Sequence, residues 1–540
     1  MKSKIIVTLG PSIMDHEKLL QLRNLGIKNF RFNSAHMDIA DIGNYIRLIQ
    51  GAYESRNEFA VMIDLKGPEL RANDFPKGQF QIFKGYKYKI GEKGDIQLNN
   101  NEILKQLNAG DIIYLNDGKI RLRVIGNDDN LIISESLDNG ILRSKARVNV
   151  PGIKLDLGSL TERDKQFLRE GVNQGVDFFA LSFTQDEEDV KSLRDIITEF
   201  GGNQLVVAKI ETAIGVKNSS NISRYSDFVM VARGDLGVEL PLNEVAVAQK
   251  RITQEVKRMG KQVILATQIL ESMVLRDEPT RAEVSDITNA VYDGVDSFLL
   301  TDETAIGNYP IEAVKFLIDT INYSEEFQSF KANVENYDYN PISFSMGESA
   351  SLISDNLGID IVAFTKNGST IKIISSLRPR NNIYGITYNE GLYRQMLAYH
   401  NVTPVLVNFN ENNDVSAYVK EISEKIGFEK GRKFVIVSGE DYFIFGGTND
   451  VKIHINGEFI GRGQYRGKTL CGEFGKHIVQ YTENLPNEAK IVLFQFEPPN
   501  SLKDRLIERG IGICTNFNFK FIPEDGKNVC LDGETGILYC

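Results

Sequence analysis

Residues 205–268 read LVVAKIETAIGVKNSSNISRYSDFVMVARGDLGVELPLNEVAVAQKRITQEVKRMGKQVILATQ. Three apolar runs, Leu205–Ile210, Phe228–Ala232 and Gln262–Ala266, alternate there with helix-patterned sequence, of which Asn243–Arg258 is the longest stretch. Near-continuous Val, Ile, Leu and Phe is what a parallel strand needs when helices cover both faces of its sheet. The same beat continues on either side. Lys4–Thr8, Asn29–Phe32, Ala60–Leu65 and Phe178–Phe183 come before and Ser297–Leu300 after, so the runs number eight, with further helical patterns at His16–Leu25 and Glu162–Asn173. Eight β–α units predict an α/β protein built on a closed (β/α)8 TIM barrel, although an open doubly wound sheet carries the same local signature.

One gap breaks the beat. Between Arg71 and Val150 the chain turns to short alternating segments punctuated by Gly, Asp and Asn (QFQIFKGYKYKIG, DIIYLNDGKIRLRVIG, LIISES), which is antiparallel β composition. It reads as a small β-barrel domain inserted after the third strand, on the barrel face where active sites lie, and so placed to act as a lid. After about Phe330 an α/β pattern restarts, with helices at Ser349–Asn356 and Thr370–Leu377 and strands at Ile361–Phe364, Ile383–Thr387, Val405–Val407 and Phe434–Val437. Lys490–Phe496 and Ser501–Arg509 supply a strand and a helix to a last small unit. The expected organisation is a catalytic barrel from residues 1–72 and 150–330, an inserted lid over 73–149, a C-terminal α/β domain over 331–458 and an extra domain over 459–540. A length of 540 residues suits three or four domains.

Hydrophobic residues make up 42% and charged residues 25%, the balance of a globular protein with a sizeable core. The net charge of −11 argues against nucleic acid or an anionic membrane as partner, so an anionic substrate needs local cations or a metal. No signal-peptide apolar region and no long apolar stretch is seen, and a cytoplasmic protein is expected. Cys471, Cys514, Cys530 and Cys540 all lie in the tail without C-x-x-C spacing, which disfavours zinc and predicts reduced thiols.

Lys209 and Glu211, two residues apart at the end of a predicted strand, share one face toward the barrel mouth. Asp235 is read as ending the next strand, where Gly234 lets backbone approach a ligand, and Thr267 ends the one after. Polar side chains at the carboxyl ends of successive barrel strands mark the place where such enzymes keep their chemistry. Glu211 and Asp235 offer hard oxygens to Mg2+ or Mn2+, and Lys209 neutralises a transferring phosphoryl group. The competing reading of an isolated K-x-E is an ion pair that only ties strands together.

Longer motifs surround these residues: KIETAIGV (Lys209–Val216), MVARGDLGVELP (Met230–Pro241), ATQILESM (Ala266–Met273), PTRAEVSDITNAVYDGVD (Pro279–Asp296) and DETAIGNYPIEAV (Asp302–Val314). VTLGPS, RFNSAH, DLKGPELR and NDGKI precede them, and in this order they resemble the pyruvate kinase family, densely over Lys4–Tyr323 and more thinly beyond. The resemblance implies phosphoenolpyruvate and ADP as substrates, and roles for several residues. Arg31 binds the phosphate in passage, Lys209 stabilises it in flight, and Glu211 and Asp235 ligate the divalent metal. The backbone of Ala232, Arg233, Gly234 and Asp235 receives the substrate carboxylate, and Thr267 lies near the enolate carbon and helps deliver its proton. Arg71 and His36 contact the nucleotide, and Asp117 of the inserted domain closes over it. Asn33, Asp64 and the backbone of Leu65 hold K+, and Glu69 is the residue type of the potassium-dependent branch. A homotetramer is the expected assembly.

The chain departs from the family at the monovalent-cation side. The expected serine falls on Ala35, with Ser34 facing the opposite way if the strand continues, and Leu65 replaces a threonine. Weakened or altered K+ dependence is therefore expected. In the third domain Thr365, Asn367, Gly368, Ser369 and Thr370 match the place where relatives hold an effector phosphate, and equally fit an ordinary helix N-cap. The tail resembles a phosphohistidine swivelling domain through GRGQYRGKTLCG and DGKNVCLDGETGILYC, yet no histidine follows His477, which favours a structural or interface role. Gly467-Lys468-Thr469 is no P-loop, because Arg462 stands where its first glycine belongs. Two other functions fit parts of the pattern: a catalytically impaired paralogue serving as metabolite sensor or assembly partner, and another enolate-forming barrel enzyme such as an aldolase.

Overall fold

The eight runs close on themselves. In this computed structural model the strands Lys4–Thr8, Asn29–Asn33, Ala60–Leu65, Phe178–Leu181, Leu205–Ile210, Phe228–Ala232, Gln262–Ala266 and Ser297–Leu300 form one closed barrel in sequence order. Every pairing is parallel, and the last strand meets the first with Ser297 opposite Lys4. All residues are described except 129–130, 155–157, 328–329, 336–338, 409–414, 440–447, 458, 466 and 483. The expected boundary at 458 and Arg466 of the tail motif thus lie outside the described residues.

Period two divides each strand between two cores. Val206, Ala208 and Ile210 pack outward against the helices, as do Ile63, Leu65, Val229, Val231 and Leu265. Met62, Val207, Phe228, Met230 and Ile264 fill the interior. That interior does not end with the barrel. It runs on into the third domain through Met396–Tyr399, and the Tyr399 ring meets Phe228 edge-on at 5.0 Å between centroids. Apolar contact therefore seals the amino-terminal end and leaves the carboxyl end as the open mouth.

A polar device repeats around the sealed end. Asp177, Asp227 and Asp296 each stand one residue before a barrel strand, and each accepts a backbone N–H from the neighbouring strand, Val61, Val206 and Val263, at 2.8–3.0 Å. Each also accepts a basic side chain of the third domain: Arg394, Lys372 and Arg378 respectively. The three carboxylates are buried, and Arg56, Arg194 and Lys257 of the barrel complete the partners that offset their desolvation.

The inserted segment folds as a five-stranded antiparallel sheet (Lys87–Ile90, Ile112–Leu115, Ile120–Asp128, Leu131–Ser136, Val148–Asn149) beside the hairpin Gln79–Ile82 with Gly140–Arg143. Ile90, Leu115, Leu122, Ile132 and Leu142 share its single core. The third domain is a sheet in the order Val402–Leu406, Ile383–Thr387, Asp360–Phe364, Lys433–Ser438, Asp450–Ile455, the last strand antiparallel. Its first helix spans Pro341–Leu357, starting earlier than expected because the Asn340 side chain caps Ile342 and Ser343 and Pro341 opens the first turn. Strand Val402–Leu406 also begins early. It tolerates Pro404 because it lies at the sheet edge, where a missing donor costs least.

The tail forms a seven-stranded mixed sheet with the helix Asn500–Glu508. Here one expectation fails: Cys471 and Cys530 are not reduced thiols but form a disulfide. They stand directly opposite each other in the antiparallel pairing of Leu470–Glu473 with Asn528–Leu531, a register that spacing along the chain does not reveal. Among the described residues no helix is long and apolar enough to cross a membrane.

Candidate active site

Several of the inward positions nearest the mouth carry polar groups, whereas Ala232 and Ala266 end the sixth and seventh strands. Arg31 and Asp64 are the inward residues near the ends of the second and third strands, and Lys209 follows Leu205 and Val207 in the fifth. They converge. Arg31 holds Asp64 through Nε at 2.8 Å and a second nitrogen at 2.7 Å, while Lys209 Nζ lies 3.0 Å from both Asp64 and Glu211. Lys209 also donates to Ser182 Oγ at 2.8 Å, and Phe183 N–H donates to Glu211 at 2.8 Å. Burial opposes the charge on Lys209, but Asp64 and Glu211 outweigh it and hold the ammonium above its ordinary range. Burial, with the negative Asp235 and Asp64 nearby and Lys209 opposing, pushes Glu211 up to about 7.

Asp235 does not end a strand as expected. The strand stops at Ala232, and Asp235 sits in the first turn of the helix Arg233–Glu239, where the orphan N–H groups favour a negative charge. That turn brings its carboxyl within hydrogen-bonding reach of Glu211. Burial works against its charge, and Arg147 together with Lys209 reverses the balance and lowers its pKa. Two carboxylates turned on each other, with a guanidinium already on one of them, are a donor set that suits a hard divalent cation. Among the described residues no three His, Cys, Asp or Glu side chains are grouped so as to hold a metal ion by themselves, and such a site would draw its remaining ligands from water and substrate oxygens.

Thr267 and Gln268 both take left-handed backbone, with φ of 65° and 54°. A β-branched residue there is strained, and the surroundings hold it: Thr267 Oγ1 donates to Ala266 O at 2.6 Å and accepts from Gly234 N–H at 2.8 Å. Arg233 turns away from the mouth. Its guanidinium grips the carbonyls of Thr267 and Gln268 at 2.9 and 2.7 Å and pairs with Asp286, so only its backbone faces a substrate. A Cβ on Gly234 would meet nothing of the protein closer than Thr267 Oγ1 at 3.5 Å; packing does not demand glycine, and the space over it stays clear.

The nucleotide-side residues are less tightly gathered. Arg71 donates to Glu69 at 2.9 Å and to Lys145 O at 2.6 Å, across the two segments that join the inserted domain to the barrel. His36 is exposed, as is Asp117, whose neighbour Gly118 comes up against Val238 of the barrel helix Arg233–Glu239. On the cation side, the second strand ends at Asn33, and Ser34–His36 turn into a 3-10 helix rather than continuing it. Ser34 is consequently buried, its hydroxyl without a partner, and Ala35 is exposed. Leu65 points outward into the helix-facing core, so only its backbone is left for the mouth. In the third domain Thr365 Oγ1 accepts from Gly368 N–H at 2.9 Å, and Asn367 Oδ1 accepts from Ser369 N–H at 3.1 Å. Thr370 meets Thr448 at 2.7 Å, and the N–H groups of Gly368 and Ser369 are thus already taken by side chains of the loop.

Three site residues escape sequence reasoning. Ser182 is hidden inside an apolar run, where its inward phase was the one available signal. Phe183 contributes a backbone N–H from a left-handed residue, φ 54°, which side-chain chemistry does not announce. Arg147 arrives from the inserted domain, with nothing local to mark it.

The arrangement matches known proteins throughout. The family description "Pyruvate kinase, barrel domain" fits residues 1–314, and "Pyruvate kinase, alpha/beta domain" fits residues 345–454. Pyruvate kinase of Thermoplasma acidophilum is 40% identical, covering 100% of this chain and 98% of its own. That of Geobacillus stearothermophilus is 33% identical, covering 89% of this chain and 84% of its own. The crystal structure of a pyruvate kinase from Cryptosporidium parvum superposes with a TM-score of 0.78 at 28% identity, over 84% of this chain and 96% of that one. Agreement in sequence over the whole length, and in fold over 84% of it, means that the chain is a phosphotransferase and belongs to the pyruvate kinase family.

Proposed function

We propose that the chain transfers the phosphoryl group of phosphoenolpyruvate to ADP, giving pyruvate and ATP as in glycolysis. The observation that carries this reading is the convergence of Arg31, Asp64, Lys209 and Glu211 at the barrel mouth, linked in that order by ion pairs of 2.7–3.0 Å. Arg31 and Lys209 place two fixed cations where the phosphoryl oxygens pass, and charge already in position needs no reorganisation in the transition state. Glu211 and Asp235 would hold Mg2+ or Mn2+, which when bound supplies Lewis-acid stabilisation of phosphoryl and enolate oxygens. The backbone over Ala232–Asp235 receives the substrate carboxylate. As the P–O bond to the enolate breaks and the bond to the ADP oxygen forms, the enolate carbon takes a proton relayed through water held by Thr267. Arg71, His36 and Asp117 line the nucleotide side, the last carried on the inserted lid. A lactate dehydrogenase-coupled assay with phosphoenolpyruvate, ADP and Mg2+ tests the reading directly. Phosphoenolpyruvate-dependent NADH oxidation is expected, and its absence while phosphoenolpyruvate still binds calorimetrically favours a sensor.

The K+ site is a weakened one, with Asn33, Asp64 and the Leu65 backbone as its remaining ligands. Ala35 has no hydroxyl to offer, Asp64 is taken up by Arg31 and Lys209, and Asn33 Oδ1 accepts from Ala35 N–H at 3.2 Å. Turnover in NaCl or without monovalent salt should therefore stay within about tenfold of that in KCl, a tenfold rate being ~1.4 kcal/mol of barrier. A steep, saturable requirement for KCl would contradict this. A cytoplasmic homotetramer is the assembly we favour, and the strongly exposed Leu242, Val247 and Leu275 are apolar surface that association would cover. Sedimentation gives its mass. The bonds that Thr365 and Asn367 make to the Gly368 and Ser369 N–H groups leave an ordinary helix start as the simpler role for the Thr365–Thr370 loop, with effector phosphate second.

A further inference from the structure

Arg147 has no part in the transfer described above, although it sits on Asp235. It belongs to the returning segment of the inserted domain, one residue before the strand Val148–Asn149, and bridges to Arg71 on the outgoing segment. Neighbouring bonds fasten this hinge: Val148 N–H donates to Leu70 O at 2.8 Å and Asn149 Nδ2 to Glu239 at 2.9 Å. From there the side chain enters the barrel mouth. Its guanidinium pairs with Asp235, lies 3.7 Å from Glu69, and rests on the Phe183 ring at 4.6 Å. Phe183 is the residue whose N–H holds Glu211, and the charge of Glu211 itself acts on Arg147. A planar cation on a carboxylate, flanked by two more, balances the negative charge that Glu211 and Asp235 place together.

We propose that Arg147 is a tethered counter-cation: from the inserted domain it occupies Asp235, one of the two carboxylates of the divalent-metal site, and a metal binds there only by displacing it. Metal loading and release of the lid's hinge then become one event, because the group that leaves Asp235 is anchored on the hinge. The coupling is reciprocal, so whatever pulls the hinge away raises metal affinity. Arg147 acts here as a positioning residue, and the inference rests on Glu211 and Asp235 being the metal ligands.

The test uses Mn2+ alone on the full-length, substrate-free protein, with free Mn2+ read by electron paramagnetic resonance. Arg147→Gln should bind Mn2+ about tenfold more tightly than the parent, the scale set by losing one charge-assisted hydrogen bond. Arg147→Lys, which keeps the charge, should stay near the parent. Hydrogen exchange at residues 112–124 should quicken when Mn2+ is added to the parent and be already quick in Arg147→Gln. Unchanged or weaker Mn2+ binding by a folded Arg147→Gln overturns the proposal and leaves Arg147 a structural tie. Glu211→Gln and Asp235→Asn should both lose Mn2+ binding. If they retain it, the metal-site reading falls first, and this inference with it.

Discussion

Replacing Lys209 by methionine is expected to lower turnover about 10³-fold or more while the protein stays folded. Lys209 is 8% exposed and has its ammonium 3.0 Å from two carboxylates, so it is fixed before any substrate arrives. A cation held in place by the fold stabilises charge on a transferring phosphoryl group more than a solvated one, since no dipoles have to turn at the moment of reaction. Methionine fills a similar volume and removes the charge alone. The neighbours adjust without it: Asp64 keeps Arg31 as partner, and Glu211, already near 7 through burial, rises further and takes up a proton. The loss should therefore fall on kcat in the coupled assay, with far-ultraviolet circular dichroism unchanged. A rate within tenfold of the parent would remove Lys209 from the chemistry.

The second large effect is on stability and lies at the other end of the barrel. Asp296→Ala should cost about 3–5 kcal/mol, the scale for removing one partner from an enclosed ion pair. Asp296 has no exposed surface; it holds Lys257 at 2.7 Å, Arg378 of the third domain, and the N–H of Val263 at 2.8 Å. Burial already lowers Lys257 to about 8 against the pull of Asp296, so without the carboxylate it would give up its proton. Arg378 cannot do so and would remain a buried, unpaired guanidinium. Urea unfolding followed by fluorescence gives the difference; a loss under 1 kcal/mol would mean that Asp296 is dispensable to the joint between barrel and third domain. Activity of the remaining folded protein should be little altered, because the site lies at the opposite end of the strands.

How legible was this molecule in its residues? The eight barrel strands were, nearly to the residue, because both faces of each are covered, and short continuous apolar runs in a regular beat suit few elements besides buried parallel strands. Lys209 and Glu211 were legible for a related reason: a charged pair inside such a run has either a partner or a task. Asp235 was found but misplaced, since ARGDLG carries no sign of where strand gives way to helix. Leu65 and Ala35 show their lack of a hydroxyl in the sequence itself, whereas the turn that buries Ser34 depends on where the second strand stops. The pairing of Cys471 with Cys530 is a matter of register across 59 residues, which composition does not encode.

Sequence by itself therefore determined the barrel and the family, and it named Arg31, Lys209 and Glu211, which the fold brings to one end of the barrel. The barrel rests on a local rule, short continuous apolar runs in a regular beat, and the family on the resemblance of long motifs in one order. Tertiary structure alone decided what reaches those residues from elsewhere. Ser182 meets Lys209 from a neighbouring strand, and Arg147 crosses from the inserted domain to Asp235. Asp177, Asp227 and Asp296 receive Arg394, Lys372 and Arg378 from a domain that begins far along the chain. Such contacts join residues that no short pattern links. A buried charge signals that a partner exists, and only the packed fold says which one.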